Sequence, residues 1–190
     1  MNFNDVDIKI NKPYPEIVDA KENRETVAIL KNLASSRAGE MTAVLQYIYQ
    51  SVIADKTTEE IASIFEEIGV VEMMHLDMLM HAITMFGGIP KYEDAQGNYY
   101  TTATINYNMK LKDMLDNNIR GEMMAIENYK DAIRRVDNES LKRLFARIIE
   151  MYLPDEFILF QNCISTIVRA DAKAVIYLLG NTVNKWVCMR

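Results

Sequence analysis

The nine residues Gly39-Glu40-Met41-Thr42-Ala43-Val44-Leu45-Gln46-Tyr47 return later in the chain as Gly121-Glu122-Met123-Met124-Ala125-Ile126-Glu127-Asn128-Tyr129, with glycine, glutamate, methionine, alanine and tyrosine in register. Each copy stands in a longer run whose apolar residues recur every three or four positions, the spacing of one helix face. Stepping that way from Leu30 through Leu33 and Arg37 reaches Glu40, then Val44, Tyr47 and Ser51. In the second run Leu115, Ile119, Ile126, Tyr129, Ile133 and Val136 form a stripe that Glu122 interrupts. Each phrase therefore points a glutamate inward. A buried, unpaired carboxylate costs several kcal/mol, so the fold must supply it with partners. Two amphipathic helices can share letters by coincidence, and the weight of the match rests on what the two glutamates meet.

The same periodicity divides the chain. A first helix is predicted from about Arg24 to Ala54, and a second runs from the polar Lys56-Thr57-Thr58-Glu59, with Thr57 or Thr58 as N-cap, through Ile61, Phe65, Ile68, Leu76, Leu79, Ile83 and Phe86. Gly87-Gly88 and Pro90 stop it. From Gly88 to about Met109 there is no helical period, and that stretch is long enough to cross from one end of a bundle to the other. A third helix is predicted over Lys110–Val136, a turn at Asp137-Asn138-Glu139-Ser140, and a fourth helix from Leu141 to about Arg169, followed by a short apolar tail helix. With only 7 glycines and 4 prolines in 190 residues, the composition is that of an all-α chain forming one domain. The organisation expected is an arm over 1–23, a four-helix bundle over 24–170 and a tail over 171–190, in which the first and last hairpins are copies of one unit.

The formal charge of −6 and the lack of any basic stripe exclude a protein that coats nucleic acid. The N-terminus has no basic start followed by an apolar run, and no window is read as approaching the roughly 20 apolar residues of a membrane span. The expectation is a cytoplasmic protein without membrane contact. Cys163 and Cys188 have no metal-type spacing and read as reduced thiols.

The second helix carries Val70-Val71-Glu72-Met73-Met74-His75-Leu76-Asp77-Met78, which sets Glu72 and His75 three residues apart on the same face as Phe65, Ile68 and Leu79. One helix can thus offer a carboxylate oxygen and an imidazole nitrogen to one ion, with a glutamate from a neighbouring helix completing the set. Glu-x-x-His alone is a weak signal. Glu40, Glu72, His75 and Glu122 on three successive predicted helices are a much stronger one, and a metal ion is the simplest partner for them. His81, six positions after His75, falls on another face and reads as a surface or packing residue. Met41, Met73, Met74, Met78, Met80, Met123 and Met124 read as flexible core packing rather than ligands.

These motifs, over roughly Arg24 to Arg169, resemble the ferritin-like dimetal carboxylate proteins, especially the rubrerythrin and manganese-catalase branch. The resemblance rests on GEMTAVLQYIYQ, on VEMMHLDML with the preceding Gly69, and on GEMMAIENY followed by RRVDNESLKRLFARII. It implies an up-down-down-up bundle with a long crossover between its second and third helices. It also implies a core site for iron or manganese that handles peroxide, oxygen or ferrous iron, with Glu40 and Glu122 as terminal ligands, Glu72 bridging and His75 as nitrogen donor. A homo-oligomer of at least two copies is expected, and the apolar tail VIYLLGNTVNKWVCM fits packing on the bundle or on another subunit. The paired cysteines of a rubredoxin-like iron site do not occur.

The resemblance also requires a second Glu-x-x-His on the fourth helix, where the sequence reads IIEMYLPDEFILF and has no histidine. In one register the expected glutamate and histidine fall on Tyr152 and Asp155, and one turn further on they fall on Glu156 and Leu159. Pro154 predicts a kink that brings Asp155 or Glu156 to the site. Glu40, Glu72, Glu122 and one of these acids together balance two divalent ions; loss of the fourth-helix half leaves one. Tyr152 is then a phenolate ligand, a hydrogen-bond donor to a ligand, or a core aromatic. Three readings stand: a dimetal oxidoreductase, a metal-binding or storage bundle without efficient turnover, and a metal-free interaction module.

Overall fold

The computed structural model describes residues 12–56 and 59–151. Its helices are α1 (Arg24–Ser35), α2 (Glu40–Asp55), α3 (Glu59–Met85), α4 (Leu111–Arg135) and α5 (Glu139–Met151). They form an all-α bundle of the up-down-down-up kind, in which α1 and α2 together take the place of the first helix and α5 takes the place of the fourth. The expected N-caps Thr57 and Thr58, the stretch with Tyr152, Pro154, Asp155 and Glu156 that the sequence assigns to the fourth helix, and the expected tail over 171–190 lie outside the described residues.

One correction concerns the first helix, expected to be continuous and found divided at Ser36–Gly39. The chain folds back on the last turn of α1, and the Gly39 amide bonds to the Ser36 carbonyl at 3.0 Å. A Cβ on Gly39 would stand 2.6 Å from the Leu33 carbonyl oxygen, so only glycine fits this approach. The break makes Glu40 the first residue of α2, where the open amides of a helix N-terminus favour negative charge.

The other helix ends follow their local chemistry. Asn23 caps α1 by accepting from the Thr26 amide at 2.9 Å, and Asn138 caps α5 by accepting from the Leu141 amide at 2.8 Å. α3 stops in a Schellman turn, as its glycines predict: Gly87 adopts φ +84°, and the Gly88 amide bonds to the Ile83 carbonyl at 2.8 Å. Arg134 and Arg135 in the last turn of α4 suit its negative end.

Two apolar clusters fill the bundle. One contains Leu30, Leu79, Ile83, Leu141 and Phe145; the other contains Tyr47, Phe65, Ile68, Met114 and Leu115. Along α3 the first cluster begins at Leu76 and the second ends at Ile68, so Glu72 falls between them. Along α4 Leu115 and Tyr129 bracket Glu122 in the same way. The carboxylates thus occupy a polar band between two apolar blocks.

The crossover between α3 and α4 is fastened to the first half of the bundle. The Gln46 side chain bonds the Asn106 backbone in both directions, at 2.8 and 2.6 Å, and the Asn32 side chain accepts from the Ala95 amide at 2.9 Å. Lys31 pairs with Glu93. The arm is fastened too: the Ser140 hydroxyl accepts from the Val18 amide at 2.9 Å, and the Asn23 amide bonds to the Phe86 carbonyl at 3.1 Å.

A second correction concerns hydropathy. Ile61–Met85 of α3 is long and apolar enough to match a membrane span by length and composition, contrary to the sequence reading, and half of its most apolar 18-residue window is buried inside the bundle. The methionines need a third. Met41, Met78 and Met80 pack partly buried on the core, but Met73, Met74, Met123 and Met124 are exposed, because an inward Glu72 or Glu122 turns the next two side chains outward.

If the approach of Gly39 to α1 sets the break, Gly39→Ala forces backbone apart and destabilises the protein by about 1–3 kcal/mol, read as a lower midpoint in urea unfolding.

Candidate metal centre

Glu40, Glu72 and His75 come together in the structure. Glu40 opens α2, and Glu72 and His75 lie one turn apart on α3, so that one ligand atom of each falls within 4.8 Å of the others. All three are buried, with relative exposures of 3%, 2% and 0%. His75 Nδ1 lies 2.9 Å from Glu72 Oε2, and its Nε2 lies 2.9 Å from the Tyr14 hydroxyl. Glu122 is also buried but is not one of this group of three among the described residues. It lies on the wall of a cavity that Glu40 also lines.

The tyrosines that close both copies of the repeated phrase have matching roles. The Tyr129 hydroxyl donates to Glu40 Oε1, and the Tyr47 hydroxyl donates to Glu122 Oε1. Each copy's tyrosine therefore holds the other copy's glutamate. Beside them, Gln50 and Asn118 exchange two amide hydrogen bonds, at 2.9 and 2.7 Å, tying α2 to α4. The spacing of seven residues between Glu and Tyr, two helical turns, puts both on one face of their helix, but which glutamate each tyrosine meets depends on how α2 and α4 are placed.

The electrostatics are those of a site short of positive charge. Burial, and after it the negative charge of Glu72, pushes the Glu40 carboxyl well above the usual carboxylate range, against the pull of His75 and the Tyr129 hydroxyl. Burial pushes His75 below its ordinary value, so it is neutral near pH 7. Burial and the Glu40 charge push the Tyr129 phenol well up, which keeps it a donor. Without a cation, Glu40 must hold a proton or stand ionised beside Glu72. Two carboxylate oxygens and one neutral imidazole nitrogen, buried and converging, are a donor set that fits a divalent metal ion, which takes the place of that proton.

Sequence reasoning missed Tyr14. The arm carries it over the bundle to His75, edge-on with ring centroids 5.7 Å apart, and Arg147 of α5 lies 4.6 Å over its ring while donating to the Lys12 carbonyl at 3.0 Å. No local pattern marks a tyrosine between Pro13 and Pro15 as the partner of a histidine more than sixty positions away. His81 stands apart from the site, exposed, 3.7 Å from Asp77.

A family model described as the ferritin-like domain matches residues 30–150. The chain belongs to the ferritin-like domain family. Among solved structures, its fold is similar to a manganese catalase, KatB, from Anabaena PCC7120, with a TM-score of 0.74 and 20% identity over 84% of this chain and 80% of that one. It is also similar to the bacterioferritin of Rhodobacter capsulatus, whose structure has a metal-free dinuclear site and haem iron (TM-score 0.69, 20% identity, 83% and 94% covered). The bacterioferritin of Desulfovibrio desulfuricans, which has a diiron site, matches with a TM-score of 0.68 at 21% identity over 82% and 90% of the two chains. At such identities the likeness is one of fold. No curated protein sequence matches the chain.

The raised carboxyl gives a signed prediction. A group whose folded pKa exceeds its unfolded value contributes stability that is full on the acid side and is lost as pH rises through the folded pKa. In metal-free protein the Glu40 contribution therefore declines above the ordinary carboxylate range, and Glu40→Gln removes that decline. At pH 7 the metal-free Gln variant is more stable than wild type in urea titrations, while excess Mn(II) stabilises wild type and not the variant.

Proposed function

We propose that the protein is an iron- or manganese-dependent oxidoreductase acting on peroxide, oxygen or ferrous iron at the core site. The observation that carries this reading is the buried convergence of Glu40, Glu72 and His75, whose charge calls for a cation. Membership of the ferritin-like superfamily, and the dinuclear and diiron sites of its structural neighbours, support it. Glu40, Glu72 and His75 hold one ion. Glu122, with Asp155 or Glu156, is proposed to supply oxygens for a second, and Tyr152 is proposed to hydrogen-bond one of these ligands. The bound metal supplies the chemistry of gaining and losing single electrons.

The chain's own groups prepare the site. Tyr129 and Tyr47 each fix one oxygen of a glutamate by donating a hydrogen bond to it. Ligation by His75 Nδ1, which faces Glu72, requires the ring proton on Nε2, where the Tyr14 hydroxyl oxygen accepts it. Glu40 gives up its proton when an ion enters.

A second reading, a binding or storage bundle with one ion and no efficient turnover, has its own observation. The chain contains 2 histidines, and both lie on α3, so a second ion has no imidazole. We also propose a homo-oligomer of at least two copies, supported by the exposed Ile48 and Val52 on α2 and Val70 and Met73 on α3. Metal content after anaerobic addition of Fe(II) or Mn(II), followed by peroxide and oxygen consumption, separates the readings. Two ions with turnover are expected. One tightly held ion without turnover favours the second reading, and no ion, with stability unchanged in Glu72→Ala, overturns both.

A further inference from the structure

The two glycines of the repeated phrase are not equivalent. Gly39 is required by a close approach, since a Cβ there would meet the Leu33 carbonyl. Gly121 lies inside the uninterrupted α4, where glycine is among the least favoured residues, and a Cβ on it would meet no heavy atom within 4 Å. Neither packing nor a positive φ asks for it. What Gly121 does border is open space, a cavity of about 400 Å³ between α2, α4 and the end of the crossover.

The inner wall of that cavity carries both crossed pairs, Glu40 with Tyr129 and Glu122 with Tyr47. Its rim carries the exposed Arg37, from the break before α2, and the exposed Arg120, beside Gly121. Among the described residues lining it, the two core glutamates are the only acids and the two arginines the only cations. Between rim and wall stand neutral amides and hydroxyls, among them Gln46, Asn106, Asn118 and Thr104. A guanidinium is charged at every working pH, so the mouth is positive and repels a ferrous ion while leaving an uncharged molecule unopposed and attracting a small anion.

We propose that this cavity is the route by which substrate reaches the core site, that Gly121 keeps it wide, and that Arg37 and Arg120 make it selective for an uncharged oxidant such as hydrogen peroxide over ferrous iron. The proposal rests on reading the core as a metal centre, and it narrows that reading to one substrate class. The crossover fixes the outer wall, because Gln46 clamps Asn106 and the Thr42 hydroxyl meets that of Thr104 at 3.2 Å.

Two variants that leave the proposed ligands themselves unchanged test it in full-length, metal-loaded protein: Gly121→Phe, which fills the cavity, and the double variant Arg37→Glu/Arg120→Glu. The readouts are metal content, the rate at which added azide changes the metal's absorption spectrum, and the rates of peroxide consumption and ferrous oxidation. Gly121→Phe is expected to keep its metal and its circular dichroism and to lose at least about tenfold in both azide binding and peroxide consumption. Charge reversal is expected to slow azide binding at least about tenfold at low salt and to speed ferrous oxidation by a similar factor, with both effects shrinking as salt is added. Unchanged azide and peroxide rates in metal-loaded Gly121→Phe overturn the route, and ferrous oxidation slowed by charge reversal overturns the selectivity. A wild-type protein that takes up no ion overturns the metal-centre reading itself.

Discussion

Two carboxylates and an imidazole are buried within 4.8 Å of one another in the middle of an apolar bundle, and much of the structure is arranged around that fact. A hydrophobic core gains nothing from Glu40 and Glu72; burial and mutual repulsion push the Glu40 proton affinity up until the site holds a proton or a cation. The surrounding polar groups make sense as answers to this constraint. Tyr129 donates to Glu40, Tyr47 to Glu122, and Tyr14 meets the outer nitrogen of His75. The break in the first helix adds its own contribution by placing Glu40 at a helix N-terminus.

The repeated phrase gives this arrangement its form. Because each tyrosine bonds the glutamate of the other copy, α2 and α4 hold each other across the site, and the Gln50–Asn118 pair repeats the tie a turn away. The symmetry then fails in two informative places. The glycine of the first copy serves a backbone approach, while that of the second opens a cavity. The histidine of the first hairpin has its outer nitrogen covered by a residue of the arm, and the fourth helix has no histidine to answer it.

Much of this was legible in the sequence because it is local. Helical periodicity placed Glu72 and His75 on the buried face of α3, and Gly87-Gly88 marked its end to within a residue or two. The inward glutamates were legible for the same reason: Glu40 and Glu122 interrupt apolar stripes. The break at Ser36–Gly39 was not, because Leu33, Glu40 and Val44 keep a helical step across it and the reason for the break is Gly39 against the Leu33 carbonyl. Tyr14 was not legible at all, since its role depends on where the arm crosses the bundle. The exposed methionines were misread because helix phase, not residue type, decides which side of α3 they take.

The most direct test of the central claim is where an ion sits. Crystals grown with Mn(II) or, anaerobically, with Fe(II), and measured at the metal's absorption edge, should give an anomalous peak bonded to Glu40, Glu72 and His75. A peak only at surface carboxylates, with no density among the three core residues, would contradict it.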